Sequence, residues 1–264
     1  MKEVAGGNFQ VNAQCASKLK DVQDIYANFN RMVKELGATE TLQTDFIFSV
    51  SHEFKTPINA IEGYAALLQD HQQTPEEQET YIEKILFNTR RLSTLTGNIL
   101  LLSKINNQSI SPQSSVFRLD EQVRQAILAL ERKWEEKDIQ FDVDLDKITY
   151  TGYEKLLIHV WTNLIDNAIK FDPQGGSIRL RMCRQPDGIL FTIDDNGPGI
   201  PPEEQERIFH KFYQSDNSRE VDGNGLGLAL VKQIVALSDG TIQVENLQSG
   251  GCRFTVWLPI REDS

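Results

Sequence analysis

The sequence predicts an antiparallel helical hairpin that forms a dimeric four-helix bundle, followed by an α/β domain. Two observations carry this prediction. Apolar residues step by three and four along two segments that flank a polar break, as expected for paired amphipathic helices. A stretch rich in Asn, Gln, Ser and Pro then follows, and beyond it helix-like and strand-like segments alternate. The 264 residues suit about two domains.

The first predicted helix of the hairpin covers residues 39–69, after residues 1–38, which end in a helical pattern of their own. About 100° of rotation per residue places the apolar positions of the first helix in a stripe roughly 80° wide. These positions are Ile47, Val50, Phe54, Ile58, Ile61, Ala65 and Leu68.

A polar break follows, in which Thr74 is the predicted N-cap and Pro75 the first residue of the second helix. The second helix is expected to reach about residue 106, with its seam formed by Ile85, Leu92, Leu95, Ile99 and Leu102. One hairpin encloses too little core to be stable alone, so two hairpins are expected to pair as a homodimer. The hairpin is assigned to residues 39–107.

The α/β domain is assigned to residues 116–264, after a linker over 108–115. Helices are predicted over 120–137, 153–170 and 226–238. Strands are predicted at FDVDL, SIRLRMCR, ILFTIDD, TIQVEN and CRFTVWL, where β-branched and apolar residues alternate with polar ones.

Composition excludes several classes of protein. The formal net charge of −11 argues against nucleic acid as a partner, because phosphate binding needs a basic surface. The three cysteines are widely spaced and form no CxxC pair, so neither a zinc site nor a disulfide framework is indicated. The sequence has no run of 18 apolar residues and no signal-peptide pattern, so we expect a soluble chain in a reducing compartment.

The stretch SVSHEFKTPI places His52 beside Glu53 and puts Pro57 inside a predicted helix. On a helical wheel His52 lies about 160° from the apolar stripe centred on Phe54, and Thr56 follows one turn later on the same outer side. Both side chains are therefore expected to be exposed. Pro57 cannot donate to the carbonyl of Glu53, so we expect a bend or a loosened turn that acts as a hinge beside the histidine.

Three clusters in the α/β domain suggest a nucleotide site. Asn163, Asn167 and Lys170 are spaced to share one side of a helix within about 60°. Amide oxygens can bind a hard cation and a lysine can contact phosphate, although an ordinary polar helix face would have the same pattern.

The second cluster is a strand that ends in Asp194 and Asp195, followed by a turn that contains Gly197 and Gly199. A carboxylate at this place can accept a hydrogen bond from an exocyclic amine such as that of adenine, and glycine lets the backbone approach a ligand. A simple tight turn would use the same residue types.

The third cluster is Gly223, Gly225 and Gly227 directly before an apolar helix. Backbone N–H groups at the start of a helix bind phosphate well. The segment is not a Walker A loop, because the Lys-Ser/Thr pair is missing. It is not a Rossmann fingerprint either, because no short strand leads into the glycines. A flexible loop is the alternative.

Together, and with E206-R-I-F-H-K-F-Y213 between the second and third clusters, the order resembles the ATP-binding domain of sensor histidine kinases. That domain is a Bergerat-type α/β sandwich of the GHKL group, which includes gyrase-type ATPases and Hsp90. The clusters are similar to the N, G1, F and G2 boxes, and SVSHEFKTPI is similar to the H box of the phosphotransfer hairpin. Residues 1–38 resemble the latter part of a HAMP linker.

The resemblance implies ATP and Mg²⁺ as cofactors and assigns a role to each matching residue. His52 would accept the γ-phosphoryl group of ATP and Glu53 would orient and activate its imidazole. Asn167 would bind Mg²⁺ with Asn163 close by, and Lys170 would contact phosphate.

In the G1 box Asp195 would read adenine, while Asp194 is expected to be structural. The glycines that would cradle the nucleotide are Gly197, Gly199, Gly223, Gly225 and Gly227. Phe209 and Phe212 match the aromatic residues that pack the lid, a segment expected over residues 198–224 that orders over nucleotide.

Three positions depart from the pattern or extend it. Asp172 stands where Ser or Thr is common, and Gln214 stands where many relatives carry an arginine that reaches phosphate. Lys211 or Arg219 is a possible substitute for that arginine. His159 lies one turn before Asn163 and is expected to be structural.

The implied partner is the receiver domain of a response regulator, which would take the phosphoryl group from His52. Thr56 matches the position that supports dephosphorylation of the regulator in relatives, so a bifunctional kinase and phosphatase is expected. The resemblance also implies the cytoplasmic portion of a membrane-bound sensor whose membrane segment precedes this chain. A GHKL ATPase and an inactive dimeric scaffold are the competing interpretations, and acid-labile labelling of His52 from ATP would distinguish them.

Overall fold

The computed structural model describes residues 4, 8–9, 11, 13, 19–69, 73–107, 113–215 and 223–260, with the backbone alone for residues 38–43. The chain divides into two compact units, Met1–Thr89 and Arg90–Ser264. No helix in the described ranges is long and apolar enough to cross a membrane.

Two long helices form the predicted hairpin. Helix α1 spans Lys20–Gln69 and helix α2 spans Pro75–Asn106. The start of α2 is as predicted: Thr74 and Glu77 exchange hydrogen bonds between side chain and backbone, at 2.8 and 3.2 Å, in a capping box. Helix α1 runs without a break across the boundary predicted between residues 38 and 39. A single Gly37 costs only about 1 kcal/mol in a helix, too little to end one.

The apolar stripe of α1 is only partly covered within one chain. Tyr64 of α1 and Tyr81 of α2 stack with ring centroids 5.8 Å apart. Ile47 and Ile58 nevertheless remain 57% and 40% exposed. The other stripe residues of α1 are half-buried, whereas Leu95 and Leu102 of α2 are each only 1% exposed.

In the described residues of the second unit, the α/β part has seven strands and four α-helices. The strands are β1 (Ser115–Arg118), β2 (Gln140–Leu145), β3 (Thr149–Gly152), β4 (Ser177–Gln185), β5 (Gly188–Asp194), β6 (Thr241–Asn246) and β7 (Cys252–Pro259). The helices are α3 (Leu119–Ala129), α4 (Glu131–Glu136), α5 (Glu154–Phe171) and α6 (Gly227–Leu237), with a 3₁₀ turn at Arg207–Phe209.

The main sheet has five strands in the order β2-β4-β5-β7-β6. Strands β2 and β4 are parallel and the other neighbours are antiparallel. Strands β1 and β3 form a separate antiparallel pair. The five predicted strands are confirmed, whereas β1 and β3 were not predicted, because four residues are too few to show a period of two.

Alternating burial along the strands shows a two-layer arrangement. In β4 Ile178, Leu180 and Met182 are buried while Arg179 between them is exposed. The helix layer packs on the buried face through Trp161 of α5. Its ring centroid lies 4.8 Å from the ring centroid of Phe191 in β5. A mostly antiparallel sheet with one face packed against helices and the other face in solvent gives this pattern.

The predicted helix 120–137 is two helices. Leu130 separates α3 from α4 with φ −107° and ψ 11°, outside the helical region. The indole N–H of Trp134 donates to the carbonyl of Ile127 at 3.1 Å, which replaces a helical hydrogen bond at the break. The predicted helices 153–170 and 226–238 match α5 and α6 within one residue at each end.

Candidate nucleotide site and phospho-acceptor segment

The histidine segment lies in the first unit, on α1. His52 and Thr56 are exposed, as predicted, and Phe54 is half-buried. The Thr56 hydroxyl donates to the carbonyl of His52 at 3.4 Å, and the helix continues through Pro57, which is buried. The histidine side chain is thus presented to solvent, where a large partner can reach it.

The asparagine cluster lies on α5 in the second unit. Asn163, Asn167 and Lys170 are all half-buried, and the Asn163 amide donates to the carbonyl of His159 at 2.7 Å. Among the described residues, the Asn167 side chain makes no hydrogen bond. An amide oxygen is hard and neutral, a ligand type that suits a hard cation.

Asp195 follows β5 and is only 5% exposed. Its Oδ1 accepts from the backbone N–H of Gly197 at 2.9 Å and of Cys252 at 3.2 Å, and its Oδ2 accepts from the Cys252 thiol at 3.0 Å. A carboxylate offers about four acceptor directions, so one direction on Oδ2 has no hydrogen bond among the described residues.

Cys252 was not predicted as a site residue. Burial raises the pKa of its thiol, and the charge of Asp195 raises it further, so the sulfur keeps its proton and acts as a donor. The sequence predicts Cys252 at the start of a strand, but its register opposite Asn246 of β6 could not be read from the sequence.

Asp194 is structural in its contacts. Its two oxygens accept from Nε and Nη2 of Arg253, each at 2.7 Å, across the β5–β7 pair. The Asp194 carboxylate, paired through both oxygens with one guanidinium, has little capacity left to accept further hydrogen bonds. The neighbouring Asp195 keeps one acceptor direction among the described residues.

The turn after Asp195 is built to exclude side chains. A Cβ on Gly197 would lie 3.0 Å from both Asp195 Oδ1 and the carbonyl of Phe171. Gly199 has φ +76°, which glycine adopts without strain. Asn246, also not predicted, holds the turn by accepting from the Ile200 N–H at 2.8 Å and donating to its carbonyl at 2.7 Å.

The two predicted aromatic residues pack the segment before the third glycine cluster. Phe209 is 9% exposed and packs edge to face against Phe254, with the two ring centroids 6.4 Å apart. Phe212, with φ +61°, donates its N–H to the carbonyl of Gly225 at 2.8 Å. The aromatic segment and the glycine loop are therefore joined through the backbone.

Gln214, which replaces the arginine of many relatives, donates its side-chain amide to the carbonyl of Gly223 at 2.9 Å. This hydrogen bond connects the Gln214 side chain to the backbone of the glycine loop. Of the suggested substitutes, Lys211 is exposed, and Arg219 lies outside the described residues.

The glycine loop ends at the start of α6. Gly225 has φ +64°, and a Cβ on Gly227 would lie 2.6 Å from Asn163 Oδ1. The start of α6 thus lies directly beside Asn163 of α5. Phosphate oxygens fit such a place, because helix N-termini offer unpaired N–H groups and a favourable dipole.

Family models match both units. The His Kinase A (phospho-acceptor) domain matches residues 42–108, and the histidine kinase-, DNA gyrase B-, and HSP90-like ATPase matches residues 152–262. The heme sensor protein HssS of Staphylococcus aureus is 32% identical over 255 residues, which are 96% of this chain and 54% of that protein. The chain therefore spans about half the length of the curated relatives it matches.

Solved structures of sensor histidine kinases are similar to this chain in sequence and fold. The mycobacterial sensor histidine kinase MprB is 30% identical with a TM-score of 0.52, over 57% of this chain and 100% of that one. The Acinetobacter baumannii histidine kinase AdeS is 26% identical with a TM-score of 0.68, over 80% of this chain and 98% of that one. With both kinase domains matched in order, this chain belongs to the sensor histidine kinase family.

Proposed function

We propose that this chain is an ATP-dependent protein-histidine kinase that phosphorylates itself on His52 and passes the phosphoryl group to an aspartate of a response regulator. One observation carries the proposal: an exposed histidine beside Glu53 lies in a phospho-acceptor domain of the same chain that holds the ATPase domain. An enzyme that only hydrolyses ATP has no use for that histidine.

In the proposed reaction a ring nitrogen of His52 attacks the γ-phosphorus of ATP. The N–P bond forms, the bond from that phosphorus to the bridging oxygen breaks, and ADP leaves. Glu53 accepts a hydrogen bond from the other ring nitrogen and stabilises the positive charge that develops on the imidazole. In the second step an aspartate oxygen of the regulator attacks the phosphorus and the N–P bond breaks.

The second unit would bind the nucleotide. The free acceptor direction on Asp195 suits the amino group of adenine, and the N–H groups near Gly227 suit the phosphates. Asn167 fits Mg²⁺ because its half-buried amide oxygen is hard, neutral and without an internal hydrogen bond in the described ranges. Mg²⁺, when bound, neutralises charge on the phosphates, and Lys170 and Asn163 would add to this.

The proposal includes a homodimer formed by the hairpins. Ile47 and Ile58 leave much apolar area exposed in one chain, and a second hairpin would cover it. Sedimentation velocity should find a dimer, and Ile58→Glu should shift the chain toward monomer. A wild-type chain that sediments as a monomer at micromolar concentration would contradict this part.

The partner is proposed to be a receiver domain that docks near His52, with dephosphorylation supported by Thr56. We propose that the chain is located on the cytoplasmic side of a membrane-bound sensor, where ATP is available.

Labelling with [γ-³²P]ATP and Mg²⁺ tests the proposal. We expect protein-bound label that is lost in acid, absent from His52→Gln and retained in His71→Gln, a histidine in the polar break between the helices. Label that persists in His52→Gln overturns the assignment of the acceptor. Release of ADP with no labelled protein would instead show an ATPase, and neither product would show a scaffold.

A further inference from the structure

Asp172 lies at the C-terminal end of α5, where its own N–H closes the helix by donating to the carbonyl of Ala168 at 3.0 Å. Its backbone is extended, with φ −67° and ψ 142°, and its side chain turns into the protein, since the residue is only 2% exposed. A buried carboxyl group is costly unless its oxygens are hydrogen-bonded, so its position calls for a physical reason.

One oxygen of Asp172 holds the turn that carries Asp195. Its Oδ1 accepts from the backbone N–H of Asn196 at 2.6 Å. The N–H of Asp195, one residue earlier, donates to the carbonyl of Cys252 at 3.0 Å. The backbone around Asp195 is thus fixed by two elements, by α5 through Asp172 and by β7 through Cys252.

Asn196 extends this network to β4. Its Oδ1 accepts from the N–H and the hydroxyl of Ser177, at 3.1 and 2.8 Å. The carbonyl of Phe171 also lies against Gly197, where a Cβ would come within 3.0 Å. The end of α5 therefore touches the turn at two successive residues, Asn196 and Gly197.

The second oxygen of Asp172 has no hydrogen-bond partner among the described residues. It lies against Gly176, where even a methyl group would collide with it. Burial raises the pKa of the Asp172 carboxyl and the charge of Asp195 raises it further, while the Asn196 N–H and the Lys137 ammonium lower it. The contacts thus use Asp172 as an acceptor for one N–H, which a neutral group can also provide.

The end of α5 is anchored independently of this carboxyl group. The Lys137 ammonium donates to the carbonyls of Ile169, Lys170 and Asp172 at 2.8 to 2.9 Å. A cation on the last carbonyls of a helix also opposes the negative end of its dipole. A change in the Asp172 side chain should therefore leave α5 in place and act on the turn.

We propose that Asp172 is a positioning residue for base recognition, whose carboxyl group holds the Asp195–Asn196 backbone so that Asp195 faces the amino group of adenine. The proposal rests on the proposed ATP-binding function and deepens it. It predicts that the identity of residue 172 sets affinity and base selectivity, while the chemical step at His52 is unaffected.

The test compares Asp172→Ala with Asp172→Asn, which keeps an acceptor oxygen without the charge. Calorimetric titration with MgATP and MgGTP should show the ATP dissociation constant rising about fivefold to tenfold in Asp172→Ala, with a smaller ratio of GTP to ATP constants. Asp172→Asn should stay within about twofold of wild type. In autophosphorylation, KM should rise in Asp172→Ala and kcat should not change.

Asp187→Ala is the control for loss of a carboxyl group, since Asp187 is exposed in the turn between β4 and β5. Thermal unfolding of each variant confirms that it is folded at the assay temperature. An unchanged ATP constant and base selectivity in a folded Asp172→Ala overturns the proposal. Wild type that binds neither nucleotide overturns the proposed function itself, which is a separate outcome.

Discussion

Gly227 at the start of α6 approaches Asn163 of α5 so closely that a methyl group on the glycine would lie 2.6 Å from the asparagine oxygen. This contact joins two clusters that are more than sixty residues apart in the sequence. It places the N-terminus of one helix, which suits phosphate, beside the amide groups of another, which suit a cation.

Gly227→Ala should weaken ATP binding about tenfold, because the new methyl group must displace Asn163 or the start of α6. Titration with MgATP measures the effect. Gly97→Ala is the control, since nothing lies within 4 Å of the Cβ position in that helical glycine. We expect Gly97→Ala to keep ATP affinity and to gain about 0.5–1 kcal/mol of stability from its higher helix propensity. Equal ATP affinity in Gly227→Ala would show that the contact is not part of the site.

Cys252→Val should weaken ATP binding about fivefold, because valine has a similar shape but no donor for Asp195 Oδ2. Cys252→Ser keeps a hydroxyl donor and should bind ATP more tightly than Cys252→Val. Isothermal titration of the two variants gives the comparison. If the serine and valine variants bind ATP equally well, the thiol–carboxylate hydrogen bond does not orient Asp195.

Asp120→Ala should lower the free energy of unfolding by about 1–3 kcal/mol. Asp120 is fully buried and accepts from Nη1 of Arg124 at 2.7 Å, from Nε of Arg118 at 2.8 Å and from the Ile148 N–H at 3.2 Å. Urea unfolding measures the change. Glu136→Ala removes the exposed ion pair with Arg132 and should change stability very little.

The same carboxylate predicts a pH dependence. The hydrogen bond from Arg118 holds the pKa of Asp120 well below its ordinary value of 3.8, with further contributions from Arg124 and Ile148. A lowered pKa in the folded protein stabilises it above the unfolded pKa, and this stabilisation is lost as the pH falls through and below that value. The difference in unfolding free energy between wild type and Asp120→Ala should therefore shrink as the pH falls below about 4. A difference that stays constant from pH 7 to pH 3 would contradict this account.

Thr56→Ala should slow dephosphorylation of a phosphorylated response regulator by about tenfold or more, and leave autophosphorylation of His52 in place. The exposed Thr56 hydroxyl lies one helical turn beyond His52, where it could position the attacking water. Loss of label from the regulator in the presence of ADP is the measurement. Thr80→Ala is the matched control, since Thr80 is also exposed and also donates to the carbonyl four residues earlier, at 2.9 Å. Unchanged dephosphorylation in Thr56→Ala removes Thr56 from the mechanism.

Pro57→Ala should stabilise α1 by up to about 3 kcal/mol, because alanine can donate to the carbonyl of Glu53 and proline cannot. If Pro57 is the hinge that the sequence predicts, the stiffer helix should slow autophosphorylation, transfer or dephosphorylation. Stopped assays of the three rates, with the thermal midpoint as the control for stability, provide the test. Three unchanged rates together with a raised midpoint would rule out a hinge.

The local features of this protein follow from its amino-acid pattern. The period of three and four placed the two hairpin helices, the Thr74–Pro75 cap began the second one, and the alternation of apolar residues placed five strands. The outward face of His52 also followed from helical rotation alone. These features depend on residues within a few turns of each other, which share fixed geometry along a helix or strand.

Features that depend on contacts between residues far apart in the chain are visible only in the folded protein. The pairing of β5 with β7 brings Cys252 to Asp195 and Arg253 to Asp194, so the two adjacent aspartates have different partners, a thiol for one and a guanidinium for the other. The end of α5 brings the Asp172 carboxyl group to the N–H of Asn196. In the sequence, Asp172 differed from the residue type common in the kinase family, but its partner could not be predicted. The physical reason is that sheet register and helix packing join residues across long stretches of chain, and no local period records such neighbours.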